Sequence, residues 1–218
     1  MMDRPILFSG PMVRALIDGH KTQTRRVVTP QPDWDHEVVE TRLDGLTWPI
    51  GKYGQQCGGP IPLPRFAVGD RLWVRESIGR RPASFLGVEA TNGVETAFYK
   101  ADDDDVIETA GFNVCPWWKA KSLPGMHMPR WASRLTLIVT DVRVQRLQEI
   151  NEVDAWDEGV QDCGEIDGGR QISGYGKTLY ANLWDSLNAD RGYGWKTNPW
   201  VCAVSFNVIK QNINQVKP

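Results

Sequence analysis

The sequence has no Cys-x-x-Cys pair. Its four cysteines, Cys57, Cys115, Cys163 and Cys202, stand singly along the chain. With no signal peptide ahead of them, they read as reduced thiols in a cytoplasm. The opening MMDRPILFSGPMV is too short and too polar for a secretory apolar region. No stretch approaches the roughly 18 apolar residues that cross a bilayer. Membrane and export roles are excluded on these grounds. Net positive charge is missing too: Lys+Arg total 25 against Asp+Glu 27, a net charge of −2. Broad coating of DNA, which gains affinity by counterion release, is therefore excluded, although a local basic cleft is not. There is no internal repeat. Regular strand–helix alternation is also absent, which argues against a doubly wound parallel sheet. The segment Gly174-Tyr175-Gly176-Lys177-Thr178 has the ending of a phosphate loop. Gln171 occupies the position of the first required glycine, so a nucleotide triphosphatase is rejected.

What is present is 218 residues, 41% of them hydrophobic, enough for one domain with a real core. Ten tryptophans can fill a small core or stack on bases. Ser9 and Pro11 start a helix over about 10–18, with Met12, Val13, Leu16 and Ile17 at helical spacing and Gly19 as its stop. Gly69-Asp70 reads as a turn into a strand. In that strand Leu72 and Val74 share one face and Arg71, Trp73 and Arg75 the other. A strand is expected through Val94 to Tyr99, and the strongest strand signal runs over 134–146. Asn151 is placed to cap a helix that Gly159 ends, with Asp154 at the box position. Val153 and Trp156 are read as the buried face of that helix. Leu179, Tyr180, Leu183, Trp184 and Leu187 mark an amphipathic helix, and Trp200 to Ile209 a last strand. The regions 29–64 and 80–130 are read as long irregular insertions. Residues 1–218 are taken as one α+β domain, a small, mostly antiparallel barrel with peripheral helices.

The stretch richest in chemistry is Gly19-His20-Lys21-Thr22-Gln23-Thr24-Arg25-Arg26. It packs three cations and two hydroxyls behind a flexible glycine. It reads either as an anion or nucleotide site or as a solvated basic turn. The aspartates 102–105 read as a solvated loop, since side chains adjacent in sequence rarely converge on one ion. His127 and Cys115 read as packing residues, so neither metal nor cofactor is expected.

Gly19-x-Lys21 followed by Arg26 resembles the G-x-K-x-x-x-x-R signature of the ASCH family, which has the PUA-like barrel fold. Gly69-Asp70-x-Leu72-x-Val74 resembles the family's next element. Leu147 ahead of Asp154-Ala155-x-x-Glu158-Gly159 resembles its later strand-then-helix element, and Phe206 lies in the would-be closing strand. The segment Met128 to Arg134 is similar to phage and prophage proteins of this kind. The resemblance covers about half of the chain. It implies a nucleoside or RNA substrate, and in some members the hydrolysis of N4-acetylcytidine by a lysine, a threonine and a glutamate. The matching positions are Lys21, Thr24 and Glu158. Arg25, Arg26, Trp73, Arg75 and Glu76 would then contact substrate.

In that scheme Thr24 is a nucleophile, Lys21 its activator and Glu158 a proton shuttle, with nucleophile and base not uniquely assigned. In a regular strand Lys21 and Thr24 would face opposite ways, so the pair requires an irregular segment. On spacing alone, Glu158 reads as a solvated carboxylate in the last turn. Two alternatives stand beside the hydrolase. One is a PUA-like RNA binder or ribonuclease with a groove of Arg25, Arg26, Arg71, Arg75 and Arg130. The other is a phage accessory protein whose insertions meet a protein partner.

Overall fold

The computed structural model describes residues 2–32, 38–41, 47–50, 66–82, 95–104, 106, 121–160 and 175–217. Within them, in chain order, lie β1 (Asp3–Leu7), α1 (Gly10–Ile17), β2 (Gln23–Val27), β3 (Val38–Thr41), β4 (Thr47–Ile50), β5 (Arg71–Arg75), β6 (Ile78–Pro82), β7 (Glu95–Tyr99), β8 (Ser122–Leu123), β9 (Thr136–Arg146), α2 (Glu152–Asp157), α3 (Tyr175–Asn188) and β10 (Trp200–Ile209). The chain divides into two compact units. Unit 1 is Met1–Gly19, Asp70–Ile138 and Val208–Pro218; unit 2 is His20–Gly69 and Val139–Asn207.

Five strands follow the order β1-β5-β9-β10-β2, with β9 and β10 passing through both units. β1 pairs with β5 in parallel, whereas β5–β9 and β10–β2 are antiparallel. The expected barrel is corrected to an open, mostly antiparallel sheet within an α+β fold. Closure requires the two end strands to pair, and here β1 and β2 are ends of the order. Proline and glycine content hid further strands in both supposed insertions. Val38–Thr41 and Thr47–Ile50 form an antiparallel hairpin. Pro49 fits there because a two-stranded ladder is all edge. The second region supplies a sheet in the order β7-β6-β8. Within these regions 33–37, 42–46, 51–64, 83–94, 105 and 107–120, with Cys57 and Cys115, lie outside the described residues, as does Cys163 in 161–174.

In unit 1 the core under β6 and β7 gathers Ile78, Ala97, Tyr99, Val106, Leu123, Met128 and Ala132. The C-terminal segment clasps this unit. Asn212 Nδ2 donates to the carbonyls of Arg130, Trp131 and Ser133 at 3.1, 2.9 and 2.6 Å. Arg71 Nη1 donates to the Val216 carbonyl at 2.7 Å.

In unit 2 the core joins Leu147, Ile150, Ala155, Val160, Tyr180, Trp184 and Val201. Each large apolar side chain buried this way is worth about 1.5–3 kcal/mol. α3 buries Gly176, Tyr180, Trp184 and Asn188 at four-residue spacing, with Leu179 and Leu183 packed beside them as expected, whereas Leu187 is exposed. A Cβ on Gly176 would sit 2.8 Å from the Trp156 ring and from Glu152 Oε1. The missing side chain also lets the Glu152 carboxylate accept the amide hydrogens of Gly176 and Lys177, at 2.5 and 3.2 Å. Two orphan donors of the α3 N-terminus are thereby satisfied. Among the described residues no helix is long and apolar enough to cross a membrane.

Candidate functional site

α1 ends at Gly19, whose φ of +79° is left-handed backbone suited to glycine. Lys21 then makes an isolated antiparallel bridge to Glu158, and the Thr22 amide donates to the Asp157 carbonyl at 2.8 Å. Only at Gln23 does regular strand begin, pairing Gln23 with Ser205, Thr24 with Val204 and Arg25 with Ala203. On the other side, the Asn151 side chain accepts the Asp154 amide at 2.8 Å and starts α2. Glu158 closes that helix, and Gly159 at φ +81° turns the chain away. Two backbone devices thus bring residues 137 positions apart into contact.

Both side chains are almost wholly buried. Lys21 Nζ donates to Glu158 Oε2 at 2.9 Å, and to the carbonyls of Gln23 and Glu158 at 2.7 Å each. The Glu158 carbonyl is one of the unsatisfied acceptors at the end of α2, a natural seat for a cation. Arg25 Nη1 donates to Glu158 Oε1 at 3.0 Å, and its Nη2 to Asp154 Oδ2 at 2.9 Å. Gln23 Oε1 accepts from the same guanidinium, and Gln23 Nε2 reaches Ser205 Oγ at 3.0 Å. Tyr180 on α3 hydrogen-bonds to Glu158 through its hydroxyl. Its ring lies under the Arg25 guanidinium, 5.9 Å from centroid to Cζ.

Burial pushes the Lys21 ammonium below its ordinary pKa. Glu158 opposes that shift by its charge and hydrogen bond, while Arg26 and Arg25 add to it. Burial raises Tyr180 well above the usual phenol value, and the Glu158 charge adds to that.

Of the residues expected to form a catalytic set, Lys21 and Glu158 are in direct contact. The reading of Glu158 as solvated is corrected. The buried face of α2 is Asp154 and Ala155, to which Glu158 adds at i+4 from Asp154, whereas Val153 is exposed. Thr24 is buried but is not among the three acceptors of Lys21. Strand alternation puts Thr24 and Arg26 on the face of β2 opposite Gln23 and Arg25. Burial pushes the Arg26 guanidinium below its ordinary value, and the Glu158 charge opposes that. Arg25, expected on substrate, is instead committed to two carboxylates.

Trp73, Arg75 and Glu76 belong to unit 1. The Arg75 guanidinium lies 5.0 Å from the Trp73 ring centroid and donates to the carbonyls of Met126 and Met128. Glu76 is buried and held bidentately by Arg134 at 2.9 and 3.0 Å. Arg134 also grips Asp102 and Asp104 and stacks 3.9 Å from the Tyr99 ring centroid. The aspartate run is thus tied down at two positions.

Sequence reasoning missed Asp154, Arg143 and Tyr180 as members of the network. Asp154 was legible in principle, since Asp154 and Glu158 stand one helical turn apart. A buried carboxylate 2.9 Å from a buried ammonium can take a proton from it to give two neutral groups, while the fixed Arg25 cation favours the acid giving that proton up again. Comparison with family models, curated proteins and solved structures finds no match.

Proposed function

We propose that unit 2 carries a hydrolytic site for a nucleobase or nucleoside amide of the N4-acylcytidine type, in a chain related to the PUA-like ASCH proteins. The observation that carries this reading is the buried Lys21–Glu158 pair. Two charges taken out of water lose several kcal/mol of solvation each, so such a pair is a poor stabilising device. Perturbed, paired titratable groups gather where chemistry is done. The two residues also occupy the lysine and glutamate positions that the sequence motifs single out.

In the reaction, the Lys21 ammonium gives a proton to Glu158 and becomes a neutral amine. That amine takes the proton of an attacking water as the new carbon–oxygen bond forms, because Thr24 stands on the other face of β2. Glu158 returns its proton to the departing exocyclic nitrogen as the carbon–nitrogen bond breaks. The Arg26 charge, acting on Lys21 from the other face of β2, favours the neutral amine. The binding-module alternative draws less support. Arg25 is enclosed, and Arg71 and Arg130 both hold Asp3.

The test is release of cytidine and carboxylate from N4-acetylcytidine and its homologues, followed by chromatography. Lys21→Met and Glu158→Gln should each lower turnover by about 100-fold or more while the circular dichroism spectrum stays native. A protein inert on the whole acylcytidine panel, or full turnover by folded Lys21→Met, would end this reading.

A further inference from the structure

Five ion pairs in unit 2 join six charges of alternating sign. Asp141 Oδ2 lies 3.0 Å from Arg143 Nε. Arg143 Nη2 lies 3.4 Å from Asp154 Oδ1, and Asp154 Oδ2 2.9 Å from Arg25 Nη2. Arg25 Nη1 is 3.0 Å from Glu158 Oε1, and Glu158 Oε2 is 2.9 Å from Lys21 Nζ. Side-chain exposure drops from 51% at Asp141 and 41% at Arg143 to 11% at Asp154, and stays at 5% or less at Arg25, Glu158 and Lys21. The line therefore runs from solvent to the buried amine.

The division of labour at Glu158 is specific. One carboxylate oxygen goes to Arg25 and the other to Lys21. Arg25 grips the oxygen that Lys21 does not touch, so its hold outlasts a proton transfer between the other two. Its own orientation is set by Asp154 on one terminal nitrogen and Gln23 on the other. A lysine at this position would keep the charge but lose the fork that spans two carboxylates.

We propose that Arg25 is the positioning residue of the Lys21–Glu158 pair, seated by Asp154 and linked through Arg143 to solvent-facing Asp141. This rests on Lys21 and Glu158 being the proton-exchanging pair. The charged and titratable groups facing Lys21 are Glu158 at the end of α2, Arg25 and Arg26 on β2, and, against Glu158, Tyr180 on α3. Each link in the line alters the field at the amine with the sign of its own charge.

Two readouts test this. Carbon-13-labelled lysine, with the Lys21 signal identified by its loss in Lys21→Met, reports the Lys21 titration by NMR. Asp154→Asn should lower the midpoint by about half a pH unit, and Arg25→Met should raise it by as much or more. Arg143→Gln should raise it by less. The second readout is acylcytidine turnover. Arg25→Met should lower kcat about tenfold or more with KM within about twofold, and Arg25→Lys should restore little of it. In a Glu158→Gln background, Arg25→Met should have almost no further effect on kcat. Midpoints that stay in place in all three variants overturn the proposal. So does a kcat loss in Arg25→Met that multiplies fully with that of Glu158→Gln. A wild-type protein inert on acylcytidines sinks the hydrolase reading alone, and the NMR titrations then decide the role of Arg25.

Discussion

Replacing Glu158 by glutamine should destabilise the protein more than replacing its partner Lys21 by methionine. In Glu158→Gln, both Lys21 and Arg25 lose an anion at 2.9–3.0 Å. Lys21 keeps the carbonyls of Gln23 and Glu158, and Arg25 keeps Asp154 and Gln23. Removing one partner of a buried ion pair costs about 3–5 kcal/mol, and here one carboxylate is lost to two cations at once. In Lys21→Met, Glu158 still holds Arg25 and the Tyr180 hydroxyl. The ammonium no longer needs desolvating, and the methionine fills a similar volume, so the loss should be about 2–3 kcal/mol. The double variant leaves no unmatched charge at position 21 and should fall short of the sum by about 2–3 kcal/mol. Urea unfolding followed by tryptophan fluorescence measures all three, with equal slopes required before midpoints are compared. Losses that add within about 0.5 kcal/mol, or a Glu158→Gln penalty below about 1 kcal/mol, would refute this account of the pair.

Two further outcomes concern titration. Burial already raises the Glu76 carboxyl above its ordinary value, against the pull of Arg134. Arg134→Met removes that pull, so the folded-state pKa rises further above the unfolded one. The folded protein then binds the extra proton, and its stability must fall as pH rises from the unfolded carboxylate value, about 4.3, through the folded one. The urea midpoint of Arg134→Met should therefore climb when pH is lowered from 7 to 5, and a flat profile would reject the assignment. Cys202 is buried, and its thiol is pushed up to about 12, by burial first and by Asp141 second. Its peptide should escape alkylation by iodoacetamide at pH 8 in the folded protein and be labelled in urea. Equal labelling in both states would contradict the burial.

The elements written in strong local patterns were legible. Pro11 and Gly19 bracket α1, Asn151 and Gly159 bracket α2, and the alternating run after Arg134 is β9. Local patterns failed where the deciding force is long-range. No strand is expected ahead of α1, yet β1 exists because β5 offers it a parallel partner. Arg25 reads as a substrate contact or part of a solvated turn, yet strand alternation sends it inward to Asp154 and Glu158. Lys21 and Glu158 could be named from motifs, but their contact depends on a bridge spanning 137 positions. Arg143 carried no signal, because its role comes only from where β9 meets α2.

The clasp made by Asn212 and Val216 bears on synthesis from a ribosome. Asp3 waits 68 residues for Arg71 to emerge, and the carbonyls of Arg130, Trp131 and Ser133 wait for Asn212. By then every segment of unit 2, through Asn207, has already been translated. The half of the molecule that starts first is thus the last to be completed, and no single cut in the polypeptide would release either half intact.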